Sequence, residues 1–108
     1  LVKNTQNQPQ RKSLDVIQQL GKKYTNLPET KQLKAKADIQ DLAKNVSYEE
    51  LEPLFSTAAK KVGTRIATMI TLGVLLKNGL KRNAAIEAFI QKALEDTDAL
   101  LVAEASAI

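Results

Sequence analysis

The chain has no cysteine, no histidine and no tryptophan. Without cysteine there can be no disulfide, no thiolate metal site and no thiol catalysis. Without histidine the commonest general base and the commonest transition-metal ligand are gone. Aromatic residues are scarce, being confined to Tyr24, Tyr48, Phe55 and Phe89. That argues against stacking bases on an aromatic platform, as sheet-based RNA readers do. Long apolar runs are missing as well. A bilayer span needs roughly 20 apolar residues. The most apolar stretch, 62–76, is shorter and carries Thr and Gly, so no membrane segment is expected. No run alternates β-branched and polar residues, and no hairpin dipeptide occurs. There is no Gly-rich phosphate loop, and Ser13, Ser47, Ser56 and Ser106 have neither a His base nor a nucleophile elbow. No signal peptide is visible, and with no cysteine the expected localisation is cytoplasmic. The chain opens Leu1-Val2-Lys3 and closes Ala107-Ile108, which reads as part of a longer product or a trimmed one.

What the sequence does contain is organised around 62–76, whose only charge is Arg65. Its apolar positions, Val62, Ile66, Ala67, Met69, Ile70, Leu72, Val74, Leu75 and Leu76, spread around the whole circumference of a helix. A helix apolar all round is a buried one. The expected fold is therefore all-α: a single-domain bundle of four to five helices around a buried central helix. A chain of 108 residues buries about 65% of its unfolded surface, enough for one unstapled core.

The rest follows in order. Residues 1–12 are polar, amide-rich and aperiodic, and read as a flexible lead-in to a bundle domain over 13–108. Ser13 suits an N-cap for a first helix striped by Leu14, Ile17, Leu20 and Tyr24, with Gly21 a weak point and Lys22-Lys23 at its end. Pro28 is placed to be the first residue of a second helix. Its stripe is Ala35, Ile39, Leu42 and Val46, and it should end near Asn45. Lys31 and Lys34 fall on one side of it and Lys36 elsewhere. Ser47-Tyr48-Glu49-Glu50 has capping-box spacing, and Pro53 forces a fresh start after one turn. Gly63 marks either an interruption or a close helix approach. Gly79 suits a left-handed residue closing the central helix. Asn83 can cap a helix striped by Ile86, Phe89, Ile90, Ala93 and Leu94. Glu95-Asp96-Thr97-Asp98 either splits that helix, with Thr97 as a new cap, or rides on its exposed face.

Candidate chemistry is thin. Glu95, Asp96 and Asp98 lack the Gly and distal Glu of a calcium loop and read as a solvated face or cap. Glu49, Glu50 and Glu52 read as the acidic first turn of a helix. No catalytic, cofactor-binding or metal-ligating residue is assigned. Arg65 must find a carboxylate, such as Asp38 or Asp41, or a phosphate. Asn78-Gly79-Leu80 between two helices invites a helix-turn-helix, but only Arg82 and Asn83 could read a base edge.

The charge is more informative. The net charge of +4 is uneven: residues 1–44 hold nine Lys/Arg against four Asp/Glu, whereas 64–108 hold five of each. A basic front suggests a polyanion-facing surface. Lys outnumbers Arg thirteen to three, which suits contact with a phosphate backbone without sequence preference. The candidate nucleic-acid-binding residues are Lys22, Lys23, Lys31, Lys34, Lys36, Lys60, Lys61, Lys77, Lys81 and Arg82.

Small size, a helical pattern, a basic face and the absence of His and Cys make the chain resemble the small helical subunit of class 1 CRISPR effector complexes. The resemblance covers residues 13–105 and rests on architecture and charge. It implies a non-catalytic bundle beside the guide–target duplex or the displaced strand. The expected function is thus a nucleic-acid-backbone-binding subunit of a larger assembly, partnered by other protein subunits and needing no cofactor. The competing expectation is a helical adaptor or oligomerisation module that binds protein only.

Overall fold

The computed structural model describes residues 9–57 and 61–108, with side chains of 9–12 and 57 left aside. It is all-helical, with no strand among the described residues. The longer helices are α1 (Pro9–Tyr24), α2 (Glu29–Ala43), α5 (Val62–Lys77), α6 (Ala84–Leu94) and α7 (Ala99–Ser106). Two single turns, α3 (Tyr48–Leu51) and α4 (Leu54–Thr57), join α2 to α5. Helices α1, α2 and α7 surround α5, and α6 leans on α7.

Helix α5 is central for the reason its composition implies. Ile66, Ala67, Thr68, Met69, Ile70, Thr71 and Leu72 are buried in succession, which no one-sided amphipathic helix could show. The two buried hydroxyls do not go unpaired. Thr68 Oγ1 donates to the Thr64 carbonyl and Thr71 Oγ1 to the Ala67 carbonyl, each at 2.8 Å, the back-bonding Thr uses inside helices. Burial is not maintained to the end. Gly73, Val74, Leu75 and Leu76 are only half-buried, because the surrounding helices do not close over the last turn.

Gly63 proves to be a point of close approach. A Cβ on Gly63 would sit 2.0 Å from the Gly21 carbonyl oxygen, and a Cβ on Gly21 would lie 2.9 Å from both Ala67 Cβ and the Gly63 carbonyl. The two glycines let the backbones of α1 and α5 touch. The residue that weakens α1 as an isolated helix is the one that lets it dock.

The ends of the elements show what local chemistry could and could not settle. Ser47 and Glu50 form the capping box: the Ser47 N–H donates to Glu50 Oε1 at 3.0 Å, and the Glu50 N–H to Ser47 Oγ at 3.4 Å. Gly79 has φ of 113°. The Leu80 N–H reaches the Leu75 carbonyl at 2.9 Å and the Gly79 N–H the Leu76 carbonyl at 3.2 Å, which together make a Schellman closure. Asn83 caps α6. The expected cap at Ser13 is not one. Helix α1 already runs at Pro9, and Ser13 is a buried interior residue. Of the expected lead-in, 9–12 are therefore helical, and 1–8 lie outside the described residues. Pro28 stands at the N-cap of α2, one residue before the helix. The acidic stretch does split the last helix, but the cap is Asp98, not Thr97. Asp98 Oδ1 accepts from the Leu100 and Leu101 N–H groups, each at 3.0 Å.

The glycines give a graded test. Gly63→Ala should cost about 3 kcal/mol, at the upper end for overpacking, since the obstacle is backbone. Gly21→Ala should cost less, because helix propensity returns roughly 1 kcal/mol. At Gly73 a Cβ would meet only Ile108 at 3.7 Å, an ordinary contact, so Gly73→Ala should stabilise by about 0.5–1 kcal/mol. Leu72→Ala should cost roughly 2–5 kcal/mol. Denaturant midpoints of the four variants check the order.

Candidate nucleic-acid interface

The fold divides the basic residues into two groups. Lys22 lies beside the first turn of α5, its Cα 3.8 Å from where a Gly63 Cβ would be. Gln32 of α2 donates through Nε2 to the Tyr24 carbonyl at 3.0 Å, so α2 begins where α1 ends. One end of the bundle therefore gathers Lys22 and Lys23 from α1, Lys31 and Lys34 from α2, and Lys61 at the N-cap of α5. All five are exposed. Among the described residues only Lys34 of this group has an ion-pair partner, Asp38 at 3.7 Å in an exposed i,i+4 pair. Lys60, adjacent in sequence, lies outside the described residues.

Helix stability does not account for this group as a whole. Lys22 and Lys23 suit the C-terminus of α1, but Lys31 and Lys61 stand at the N-termini of α2 and α5, where the macrodipole is positive. An anion brought to this end would meet a net positive charge, the five lysines outnumbering Glu29 of the first turn of α2 and Asp38.

The second group sits at the other end of α5, about 20 Å away at 1.5 Å per residue. Lys77 and Lys81 are exposed. Arg82 is engaged with Glu87 at 3.3 Å and with the Ile108 carbonyl at 3.2 Å. Lys36 differs from the other candidates. Its Nζ lies 2.8 Å from Glu104, in a pair whose side chains are 33% and 17% exposed. It ties α2 to α7 and is not presented to an external phosphate. Its spacing had already set it off the Lys31–Lys34 side of α2.

Arg65 pairs with neither Asp38 nor Asp41. Its Nη1 donates to Asp96 Oδ2 at 2.9 Å, with 23% and 18% of the side chains exposed. Asp96 Oδ1 accepts the Asp98 N–H at 2.8 Å. The acidic stretch is thus committed twice over, Asp96 to Arg65 and Asp98 to the start of α7. Among the described residues no three acidic side chains are grouped to hold a cation. Arg65 Nε is buried with no hydrogen-bond partner. Arg65 lines one small cavity with Phe55 and Phe89, whose rings stack at 4.4 Å and 12°. Sequence separation hid this aromatic pair, since nothing in the pattern of either segment signals the other.

The helix-turn-helix reading loses Asn83, one of its two base readers. Asn83 Oδ1 accepts the Ile86 N–H at 2.8 Å, and Asn83 Nδ2 donates to the Tyr48 hydroxyl at 3.0 Å. Tyr48 in turn donates to Glu52 at 2.8 Å. Both ends of the amide are used, Oδ1 to cap α6 and Nδ2 to tie the start of α6 to α3. Comparison with protein-family models, with curated proteins and with solved structures finds no match for this chain.

Two outcomes test these assignments. Lys36→Gln should cost about 1 kcal/mol, the partial exposure of the pair reducing its worth, whereas Lys22→Gln or Lys31→Gln should stay within about 0.5 kcal/mol. Thermal unfolding of each variant distinguishes them. Tyr24 gives a pH signature. Burial, and secondarily the Glu104 carboxylate, push its phenol above the usual 10.0, with Lys36 pulling the other way. A raised folded-state value means the contribution is fully present below pH 10 and is lost as pH rises through the folded value. The unfolding midpoint should fall less steeply above pH 10 in Tyr24→Phe than in the parent chain.

Proposed function

We propose that this protein is a non-catalytic helical subunit that holds nucleic-acid backbone against the end of the bundle formed by α1, α2 and the start of α5, within a larger nucleoprotein assembly. The observation that carries the reading is the set Lys22, Lys23, Lys31, Lys34 and Lys61: five exposed lysines from three helices, nearly free of carboxylate partners among the described residues. Lysines act on phosphates as point charges, so binding is indifferent to base sequence. Through the resemblance in architecture and charge, the reading extends to a class 1 CRISPR effector complex as the assembly.

A protein-only adaptor is the second reading, and one observation favours it. Leu33, between Lys31 and Lys34, is 65% exposed, an apolar side chain that a phosphate backbone has no use for.

Fluorescence anisotropy with a labelled 20-nucleotide single strand and the matching duplex separates the two. Affinity should fall with salt at a log–log slope of about −0.7 per phosphate contact on the single strand and −0.9 on the duplex. Lys22→Gln, Lys23→Gln, Lys31→Gln and Lys34→Gln together should flatten that slope by about 2–4 contacts' worth. The triple change Lys77→Gln, Lys81→Gln and Arg82→Gln should flatten it less. Binding indifferent to salt and to both sets, in the isolated chain and in its native complex, would make the adaptor the correct reading.

A further inference from the structure

The half-buried last turn of α5 forms the floor of a continuous groove. Three adjoining depressions share their linings around it. Lys77 borders all three. Gly73 and Ile108 belong to the first and second, and Val74 and Gln40 to the second and third. Helix α2 makes one wall through Gln40, Asp41 and Lys44. Leu80, Arg82 and the end of α7 make the other. Gly73, Val74, Leu76, Leu80 and Ile108 are among the apolar residues of these linings.

The charges along the groove cancel everywhere except near its middle and one end. Lys36 is neutralised by Glu104 at 2.8 Å and Lys44 faces Asp41 at 3.7 Å. Lys77 has no ion-pair partner among the described residues, and Arg82 has only the exposed Glu87. A phosphate backbone is a poor occupant, because it gains nothing from a floor of Gly73, Val74, Leu76 and Ile108. A chain that alternates apolar anchors with carboxylates matches both features, as amphipathic segments do in helical grooves.

We propose that this groove docks an acidic amphipathic segment of a partner protein, with an apolar side chain seated on Gly73–Leu76 and a carboxylate against Lys77. The proposal rests on the reading of the chain as a subunit of an assembly. It assigns nucleic acid and protein to opposite ends of α5.

The test is a display selection of randomised 16-residue peptides on the immobilised chain, followed by amide chemical-shift mapping with an enriched peptide. Enriched sequences should place Asp or Glu beside Leu, Ile, Phe or Met, and should shift Gly73, Val74, Lys77 and Leu80. Lys77→Glu should weaken them at least tenfold, whereas Lys22→Gln with Lys31→Gln, at the opposite end of α5, should leave peptide binding within about twofold. No enrichment, enrichment of basic sequences, or peptides indifferent to Lys77→Glu would overturn the proposal. So would displacement of the groove resonances by the oligonucleotide, or concentration-dependent shifts without peptide, which mean nucleic acid and a second copy as the respective occupants. Loss of the docking result with salt-dependent oligonucleotide binding intact removes this inference alone. Loss of both removes the functional reading beneath it.

Discussion

Everything in this bundle depends on how closely α1 can approach α5. A Cβ at Gly63 would overlap the Gly21 carbonyl, at 2.0 Å, so the two backbones meet with no side chain between them. That contact sets the depth at which Leu14, Ile17 and Tyr24 reach the core formed with Ile66 and Ala67. It also draws the last turn of α1 over the first turn of α5, and α2 follows because it begins where α1 stops. The lysines at those three helix ends share one end of the molecule as a consequence. A packing constraint between two glycines, remote in sequence, thereby decides the placement of charge.

The ionic groups fall into separate roles once the fold is known. Arg65–Asp96 and Lys36–Glu104 are partly enclosed and join elements: α5 to the turn before α7, and α2 to α7. Partly desolvated pairs of this kind hold geometry more than they add stability. Lys22, Lys23, Lys31 and Lys61 are exposed and make no ion pair among the described residues. Side chains that do not contribute to folding are the ones free to contact another molecule. The same division separates Asn83, consumed by its cap and by Tyr48, from Lys77, which lies open on an apolar groove.

Sequence pattern made much of the architecture legible. The capping box at Ser47, the cap at Asn83, the left-handed Gly79 and the restart after Pro53 are local devices, and local chemistry suffices to place them. The errors are where a competing local signal won or where distance intervened. Ser13 has a side chain that suits a cap, but the helix already runs before it and buries it. Thr97 lost to Asp98, whose carboxylate takes two N–H groups at once. Arg65 chose Asp96 over Asp38 and Asp41, because the break between α6 and α7 delivers that carboxylate to the side of α5.

By itself the sequence determined the all-helical class, the central place of 62–76, most helix boundaries, and an excess of lysine over carboxylate in the first 44 residues. These follow from short-range periodicity, capping and composition, which need no knowledge of neighbours. Only the tertiary structure decided that Gly21 and Gly63 meet, that Lys36 is spent on Glu104 and that the other described candidate residues split into two groups about 20 Å apart. It alone decided that the last turn of α5 stays half open. Each of these depends on which helix lies against which, and packing of that kind is set by shape complementarity between surfaces distant in the chain.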